Sequence, residues 1–316
     1  MSELATGSSA APECLALLRR HSRSFTLATR LLPPGTRDEA AIVYAWCRRA
    51  DDAIDQPQAE TPAQALLRLR QELAQLASGG TPGDPILAAF GELVQARRIP
   101  LHYAEELLRG MEMDVQGALY QSLEQLLGYC YRVASTVGLM MCHVLGVRRP
   151  EALRPAAHLG LAMQLGNICR DVQEDWQRGR LYLPADVLRR HGVRSLRANG
   201  PFPSSAVEGC RGVLRELLEL ADRYYASSVA GLDELSPRCA LSVDVARRVY
   251  AAIGRRIAAQ GYDVRAGRAV VPAHQKLFAC AAALTRGMAR SGNTFDGALP
   301  ALSLPLLSYG PELLRL

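Results

Sequence analysis

The stretch Gly160-Leu161-Ala162-Met163-Gln164-Leu165-Gly166-Asn167-Ile168-Cys169-Arg170-Asp171-Val172-Gln173-Glu174-Asp175-Trp176 decides the fold class. Its oxygen-bearing residues Gln164, Asn167, Asp171 and Asp175 recur at intervals of three and four, the spacing of one helix face. Leu159, Leu161, Met163, Leu165 and Ile168 fill the remaining positions, so the helix is apolar around most of its circumference and belongs in an interior.

Working outward, the same periodicity runs through Arg37 to Ile54, and Leu15 to Arg20 opens an earlier helix. Similar stretches span about Thr61 to Leu76, Pro85 to Ala96, Leu101 to Val115, Leu123 to Leu145 and Pro150 to Trp176. Helices resume at about Ser204 to Val229, Val243 to Gln260 and Val271 to Ala289. Pro33-Pro34, Gly79-Gly80 with Pro82-Gly83, Gly179, Gly200-Pro201 and Ser236-Pro237 punctuate them. Alternating strand-like runs are nearly absent. The expectation is one all-α domain of roughly ten helices over residues 1–316, with 1–12 and 291–316 loose or coil.

The composition narrows the function classes. The chain has 316 residues, 49% of them hydrophobic, which excludes a disordered polymer. Its net charge is +6, and Lys276 is the one lysine, so the positive charge is almost all arginine, whose planar fork suits phosphate oxygens. Nucleic acid, an anionic membrane surface and a phosphate-bearing substrate are the partners such a balance admits. No stretch reaches the ~18 apolar residues of a membrane span; Val137 to Val147 is short and broken by His143. Met1 to Pro12 does not read as a secretory signal. The 8 cysteines are scattered without a Cys-x-x-Cys pair, so they read as reduced buried thiols, and no zinc site is supported.

Two acidic motifs carry the chemistry. In Asp51-Asp52-Ala53-Ile54-Asp55, the first and last carboxylates lie at i and i+4, hence one above the other on a helix, with Asp52 offset by one position. Asp171 and Asp175 repeat that spacing, with Asn167 one step upstream. Like charges at this spacing repel, and a divalent cation offsets the repulsion. Oxygen donors without His or thiolate on the stripe favour magnesium or manganese. The plainer reading is a solvated acidic face, but each motif sits in an apolar helix and beside arginines. Two such clusters facing each other around magnesium form a clamp for a diphosphate. Arg48, Arg49, Arg170, Arg178 and Arg180 are placed to supply further positive charge.

These residues, in this order, resemble the phytoene synthase/squalene synthase family, and within it its bacterial phytoene synthases. The resemblance rests on His21-Ser22-Arg23-Ser24-Phe25, on Tyr44-Ala45-Trp46-Cys47-Arg48 leading into Asp51 to Asp55, and on Tyr129 to Ala134 with Thr136-Val137-Gly138. Gln164-Leu165, the run Asn167 to Asp175 and Gly179-Arg180-Leu181-Tyr182-Leu183-Pro184 complete it, from about His21 to Ala283. The resemblance implies an all-α, isoprenoid-synthase-type helical bundle around a central cavity.

By matching positions it implies metal binding by Asp51, Asp55, Asn167, Asp171 and Asp175, with Asp52 beside them. Ser22, Ser24, Arg48, Tyr129, Gln164, Arg170, Tyr250 and Arg268 fall where the family contacts diphosphate or shapes the reaction site, and Lys276 is a further candidate for the phosphate shell. Read without the resemblance, Ser22 or Ser24 is an N-cap, Tyr129 is core or cavity lining, and His21 is structural. Thr136-Val137-Gly138 is either a close helix contact or a place where a small residue leaves room for a chain.

The implied reaction is head-to-head condensation of two geranylgeranyl diphosphates to phytoene, the first step of carotenoid biosynthesis. Departure of the donor's diphosphate, assisted by magnesium and arginine, leaves an allylic cation. The second molecule's double bond attacks it to give a cyclopropylcarbinyl (prephytoene) diphosphate, which ionises, rearranges and loses a proton. A dry apolar tunnel is required, because water quenches a carbocation.

The expected cofactor is magnesium, with manganese as the alternative and no NADPH. The expected setting is cytoplasmic, with transient peripheral contact with the inner face of the cell membrane and hand-off of product to a phytoene desaturase; nucleic acid is not an expected partner. The rival enzyme reading is squalene or dehydrosqualene synthesis from farnesyl diphosphate. The rival outside enzymology is a basic helical binding module, which predicts arginines gathered on an exposed helix.

Overall fold

The computed structural model describes residues 10–55, 60–147 and 149–286. Its α-helices are, in order, α1 (Ala11–His21), α2 (Arg23–Thr29), α3 (Pro34–Asp55), α4 (Pro62–Ala77), α5 (Pro85–Ala96), α6 (Leu101–Val115), α7 (Leu123–Cys130) and α8 (Thr136–Leu145). Then follow α9 (Leu153–Gln177), α10 (Ala185–Arg190), α11 (Val207–Ser227), α12 (Pro237–Ala259) and α13 (Ala273–Arg286). No strand occurs among the described residues. The all-α expectation holds. Helix α1 already begins at Ala11, so part of the segment expected to be loose is ordered helix. Residues 291–316, including the apolar segment Leu302 to Leu307, lie outside the described residues.

Local chemistry sets most boundaries. Ser22 separates α1 from α2 because its side chain accepts from the Phe25 N–H at 3.2 Å, the N-cap role read for Ser22 or Ser24 from the sequence. Thr61 and Gln64 form a capping box on α4, and Asp84 accepts from the Leu87 N–H at 2.8 Å to start α5. Helix α12 starts at Pro237, six residues earlier than the apolar pattern suggests, with Pro in the first turn where its missing N–H costs nothing.

Helix α9 is the axis of the molecule. Its buried side chains, among them Leu161, Leu165, Ile168, Cys169, Val172 and Trp176, point in all directions, and it packs on α8, α11 and α12. Helix α3 flanks the other side of the core, with Trp46 stacked on Phe90 of α5 at 4.4 Å between ring centroids.

The stretch Leu123 to Leu145 is not one regular helix. Between α7 and α8 the chain makes a π-helical turn, Tyr131–Ser135. The Ser135 hydroxyl donates to the Ala157 carbonyl of α9 at 2.7 Å, and the Thr136 hydroxyl donates to the Arg132 carbonyl at 2.6 Å. Gly160 makes this approach feasible: a Cβ there would lie 2.5 Å from the Ser135 Cα. The close contact in this region is therefore at Gly160. Gly138 is the roomy position, with its nearest neighbour, the Ala156 carbonyl, 3.5 Å from where a Cβ would stand.

Candidate active site

Helices α3 and α9 each end in an acidic motif, and the fold brings the two ends to one mouth. Gly179, at φ +75°, turns the chain sharply after α9, a left-handed conformation that glycine adopts without strain. That turn presents Arg180, which donates to Asp55 of α3 at 2.7 Å, while Arg178 approaches the same carboxylate at 3.7 Å. Asp51, Asp52 and Asp171 also hold arginines, while Asp175 lies in the field of Arg180 and Arg178. Arg48 forms a two-pronged pair with Asp52 and reaches Asp51 at 3.3 Å. Arg170 donates to Asp171 at 2.7 Å, and Arg268 approaches Asp171 at 3.3 Å and Glu174 at 3.4 Å.

Beneath the mouth lies a cavity of about 480 Å³. Arg48, Asp51, Asp114, Tyr129, Gln164 and Asn167 form its polar end. Leu107, Met111, Val133, Met141, Leu145 and Leu159 are typical of the rest, which is mainly apolar down to Leu232 and Leu235, with Thr29, Ser228 and Ser242 among its few polar residues. Gly138 is part of this wall, so its missing side chain gives volume to the cavity.

The acidic cluster is electrostatically crowded. Although 49% of the Asp51 side chain is open to the cleft, burial first and then the Asp55 charge push its carboxyl up to about 6. Asp175 is pushed up to about 7, again by burial first and then by Asp171. Asp114 is raised by burial, against the opposing pull of two phenol hydrogen bonds. Burial is the larger cause in all three, and the neighbouring carboxylates add to it. Arg180 relieves part of the rise at both Asp114 and Asp175.

Most residues singled out from the sequence meet here. Tyr250 lines the cavity, and its hydroxyl is within reach of Ser22 and in the field of Arg170 and Arg268. Its ring packs on Phe25 at 5.5 Å, and Phe25 lies 6.1 Å from Tyr44, so three aromatic rings form one wall. Ser22 is an N-cap as well. Ser24 sits half-buried on α2 and is not part of the cavity lining, and Lys276 is half-buried on α13.

Arg49 is a correction: it turns away from the mouth and binds Glu72 at 2.7 Å and Asp84 at 3.1 Å, riveting α3 to α4 and α5. The reason is helical phase, since Arg49 is one residue, about 100°, on from Arg48.

The sequence reading missed Asp114. Its carboxylate accepts from the Tyr129 hydroxyl at 2.9 Å and from the Tyr182 hydroxyl at 2.7 Å, and the rings of Tyr129 and Tyr182 stack at 5.1 Å. A signal was present: Leu107, Met111 and Asp114 continue one stripe of α6 at intervals of four and three, and only the last is polar.

Among the described residues, no three His, Cys, Asp or Glu side chains form a ready-made metal cage. The donor chemistry nevertheless suits a hard cation. All candidate ligands are oxygens, two carboxyls are raised by burial and then by a neighbouring carboxylate, and the buried Asn167 Oδ1 has no hydrogen-bond partner among the described residues. The site arginines face carboxylates at the mouth rather than forming a separate basic helix, which disfavours the binding-module reading.

Comparison with known proteins agrees with this geometry. Residues 18–275 match the family model described as squalene/phytoene synthase. A 15-cis-phytoene synthase of Paracoccus sp. is 43% identical over 243 residues, 75% of this chain and 78% of its own. That of Pantoea ananas is 39% identical over 249 residues, 76% and 80% of the two chains. Among solved structures, a ligand-bound dehydrosqualene synthase superposes with a TM-score of 0.79 at 28% identity, over 87% of this chain and 95% of its own. The two facing acidic motifs, the apolar cavity below them and a family match across four-fifths of its length lead to one statement: this chain belongs to the squalene/phytoene synthase family.

Proposed function

We propose that this prenyltransferase is a 15-cis-phytoene synthase that joins two molecules of geranylgeranyl diphosphate head to head. One observation carries the reading: two acidic, arginine-laced helix ends meet at the mouth of a single apolar cavity, the arrangement a substrate with a diphosphate head and a long hydrocarbon tail requires. The relatives named 15-cis-phytoene synthase support the twenty-carbon choice.

In this reading Asp51 and Asp55 on α3, with Asn167, Asp171 and Asp175 on α9, hold magnesium. When bound, the metal supplies Lewis-acid stabilisation of the leaving diphosphate. Arg48, Arg170, Arg180 and Arg268 bind and orient the diphosphate oxygens, with Ser22, Gln164 and Tyr250 at the edges of the same region. The apolar wall excludes water from the cations formed on the prenyl carbons. The Tyr129 hydroxyl hydrogen is committed to Asp114, so toward developing positive charge in the cavity its oxygen can act only through its lone pairs. The cyclopropylcarbinyl diphosphate formed first stays in the same cavity to ionise and rearrange. Such apolar substrates reside in lipid, so the reading includes peripheral contact with a membrane; no helix among the described residues is long and apolar enough to cross one.

The test is product identification. Purified protein with magnesium receives fifteen- and twenty-carbon prenyl diphosphates, with and without NADPH. Phytoene formed without NADPH is the expected result. Dehydrosqualene from the fifteen-carbon substrate, with the twenty-carbon one untouched, would move the assignment to the activity named for the superposed structure, and squalene formed with NADPH would move it to the reductive synthesis.

A further inference from the structure

The described surface has one concentrated apolar patch away from the cavity. Leu277 is 72% exposed, Phe278 75% and Leu284 58%, and they share one face of α13 with Ala281; Val270, three residues before the helix, is 67% exposed. The opposite face is fully used. Ala279 and Ala283 pack on Val245 and Val249 of α12 and on Leu27 and Leu31 at α2. Large apolar side chains left in water at this density mark an interaction surface.

We propose that this face of α13 docks the protein on an anionic lipid surface. Charge selects the partner. Helix α13 contains no Asp or Glu, and its sequence holds Lys276 and Arg286, with His274 besides; Arg265 and Arg268 before it are taken up by Asp263 and by Asp171 and Glu174. An apolar stripe on a helix whose charged residues are all cationic is the pattern that buries into the acyl boundary while its charges meet anionic headgroups. Position supports the same partner. Helices α2 and α12, on which α13 rests, contribute Phe25, Ala28, Thr29, Val243, Ala246 and Tyr250 to the cavity wall. Docking there puts α13 and the α2/α12 layer beneath it between lipid and cavity, so the docked face lies on the cavity side of the molecule. This surface rests on the proposed lipid-borne substrate, yet its test does not depend on it.

The experiment is co-sedimentation of the full chain with vesicles of phosphatidylglycerol and phosphatidylcholine, and with phosphatidylcholine alone. The protein should pellet with the anionic vesicles only. Combined Leu277→Ser, Phe278→Ser and Leu284→Ser should lower partitioning by about tenfold or more, while turnover of detergent-dispersed substrate stays near that of the unaltered protein. A single Phe278→Trp variant gives a second readout that does not require the triple variant to fold. The two native tryptophans, Trp46 and Trp176, are 1% and 4% exposed, so an added exposed indole reports for itself, and its emission should shift blue with anionic vesicles. Equal pelleting of triple variant and unaltered protein, or unmoved Phe278→Trp emission, would overturn the proposal. So would vesicle binding that appears only after residues 291–316 are removed, which would give the face to the chain's own tail. Loss of self-association with vesicle binding intact would give it to a second copy and overturn the proposal equally. Normal vesicle partitioning without turnover of any prenyl diphosphate would support the docking face and sink the phytoene reading alone.

Discussion

Arg180 reaches across the cavity mouth to Asp55 at 2.7 Å, joining the turn after α9 to the end of α3 over 125 residues of sequence. The pair sets a competition, because the carboxylate that this guanidinium holds is also a proposed metal ligand. Removing the arginine removes a rival cation from the acidic cluster and a binding group from the diphosphate. Arg180→Ala should therefore lower the magnesium concentration needed for half-maximal activity while turnover at saturating metal falls by about tenfold or more. A magnesium titration of both proteins checks the split; a higher metal requirement would show that Arg180 only props the mouth open.

The four motif carboxylates should be separable from folding. Asp51→Ala, Asp55→Ala, Asp171→Ala and Asp175→Ala should each cut turnover by about a hundredfold or more with melting temperature held or raised. EDTA should abolish activity in the unaltered protein, and added magnesium should restore it. Near-normal turnover at saturating magnesium in any two of these variants would remove the clamp assignment.

Asp114 has a different signature. It organises two tyrosines and touches no expected metal ligand directly, yet its charge adds to the crowding at Asp51 and Asp175. Asp114→Asn should reduce turnover by about tenfold by loosening Tyr129. The melting temperature in EDTA should not fall, since a buried charge has been removed. Unchanged turnover would confine Asp114 to a structural role.

The raised carboxyls give a pH dependence with a definite sign. With folded values of about 6 for Asp51 and about 7 for Asp175 against an ordinary 3.8, the folded state retains protons that the unfolded chain has released. Their contribution is intact below the ordinary value and is lost as pH rises through the folded values. Without metal, the combined variant Asp51→Asn, Asp175→Asn should therefore gain in melting temperature relative to the unaltered protein as pH rises from about 4 to about 8. Thermal melts in EDTA across that range test it; a constant difference would mean that the crowding is absent.

Two glycines of the cavity region should respond in opposite ways. Gly160→Ala drives a methyl to 2.5 Å from the Ser135 Cα and should cost about 1–3 kcal/mol in denaturant melts. Gly138 has space, so Gly138→Ala should be nearly neutral in stability. Gly138→Leu should fill the cavity and turn the preference from twenty- to fifteen-carbon substrates. Competition assays with the two diphosphates measure that ratio, and an unaltered ratio would place chain-length control elsewhere in the cavity.

The sequence made the α-helices and the acidic stripes readable because both are local: apolar period 3.6, and carboxylates at i and i+4. Pairing of the two stripes was inferred from carboxylate and metal chemistry and then supported by the family resemblance, whereas their approach in space depends on tertiary packing that no window contains. Helix α2 is absent from the segments the apolar period picks out, and its one sequence signal is the N-cap read at Ser22 or Ser24. The π turn was invisible for a related reason, since its side chains continue the apolar pattern of the helices around it. Asp114 looked like an ordinary surface acid at the end of α6 until Tyr129 and Tyr182 were seen to converge on it. Arg49 looked equivalent to Arg48, and only the positions of Glu72 and Asp84 distinguish them.

The π turn also governs which changes of length this region accepts. Tyr129, Val133, Val137, Met141 and Leu145 recur every four residues and all line the cavity. In an uninterrupted α-helix such a row drifts by about 160° over its length; the wider turn at Tyr131–Ser135 absorbs part of that drift. Deleting one residue there would rotate everything after it by about 100° relative to Tyr129, swinging Gly138 and Met141 out of the wall. Point substitutions in this helix adjust the shape of the cavity, whereas single-residue insertions and deletions scramble its phase. Libraries aimed at altering chain length in this enzyme should therefore vary side chains here and keep the residue count fixed.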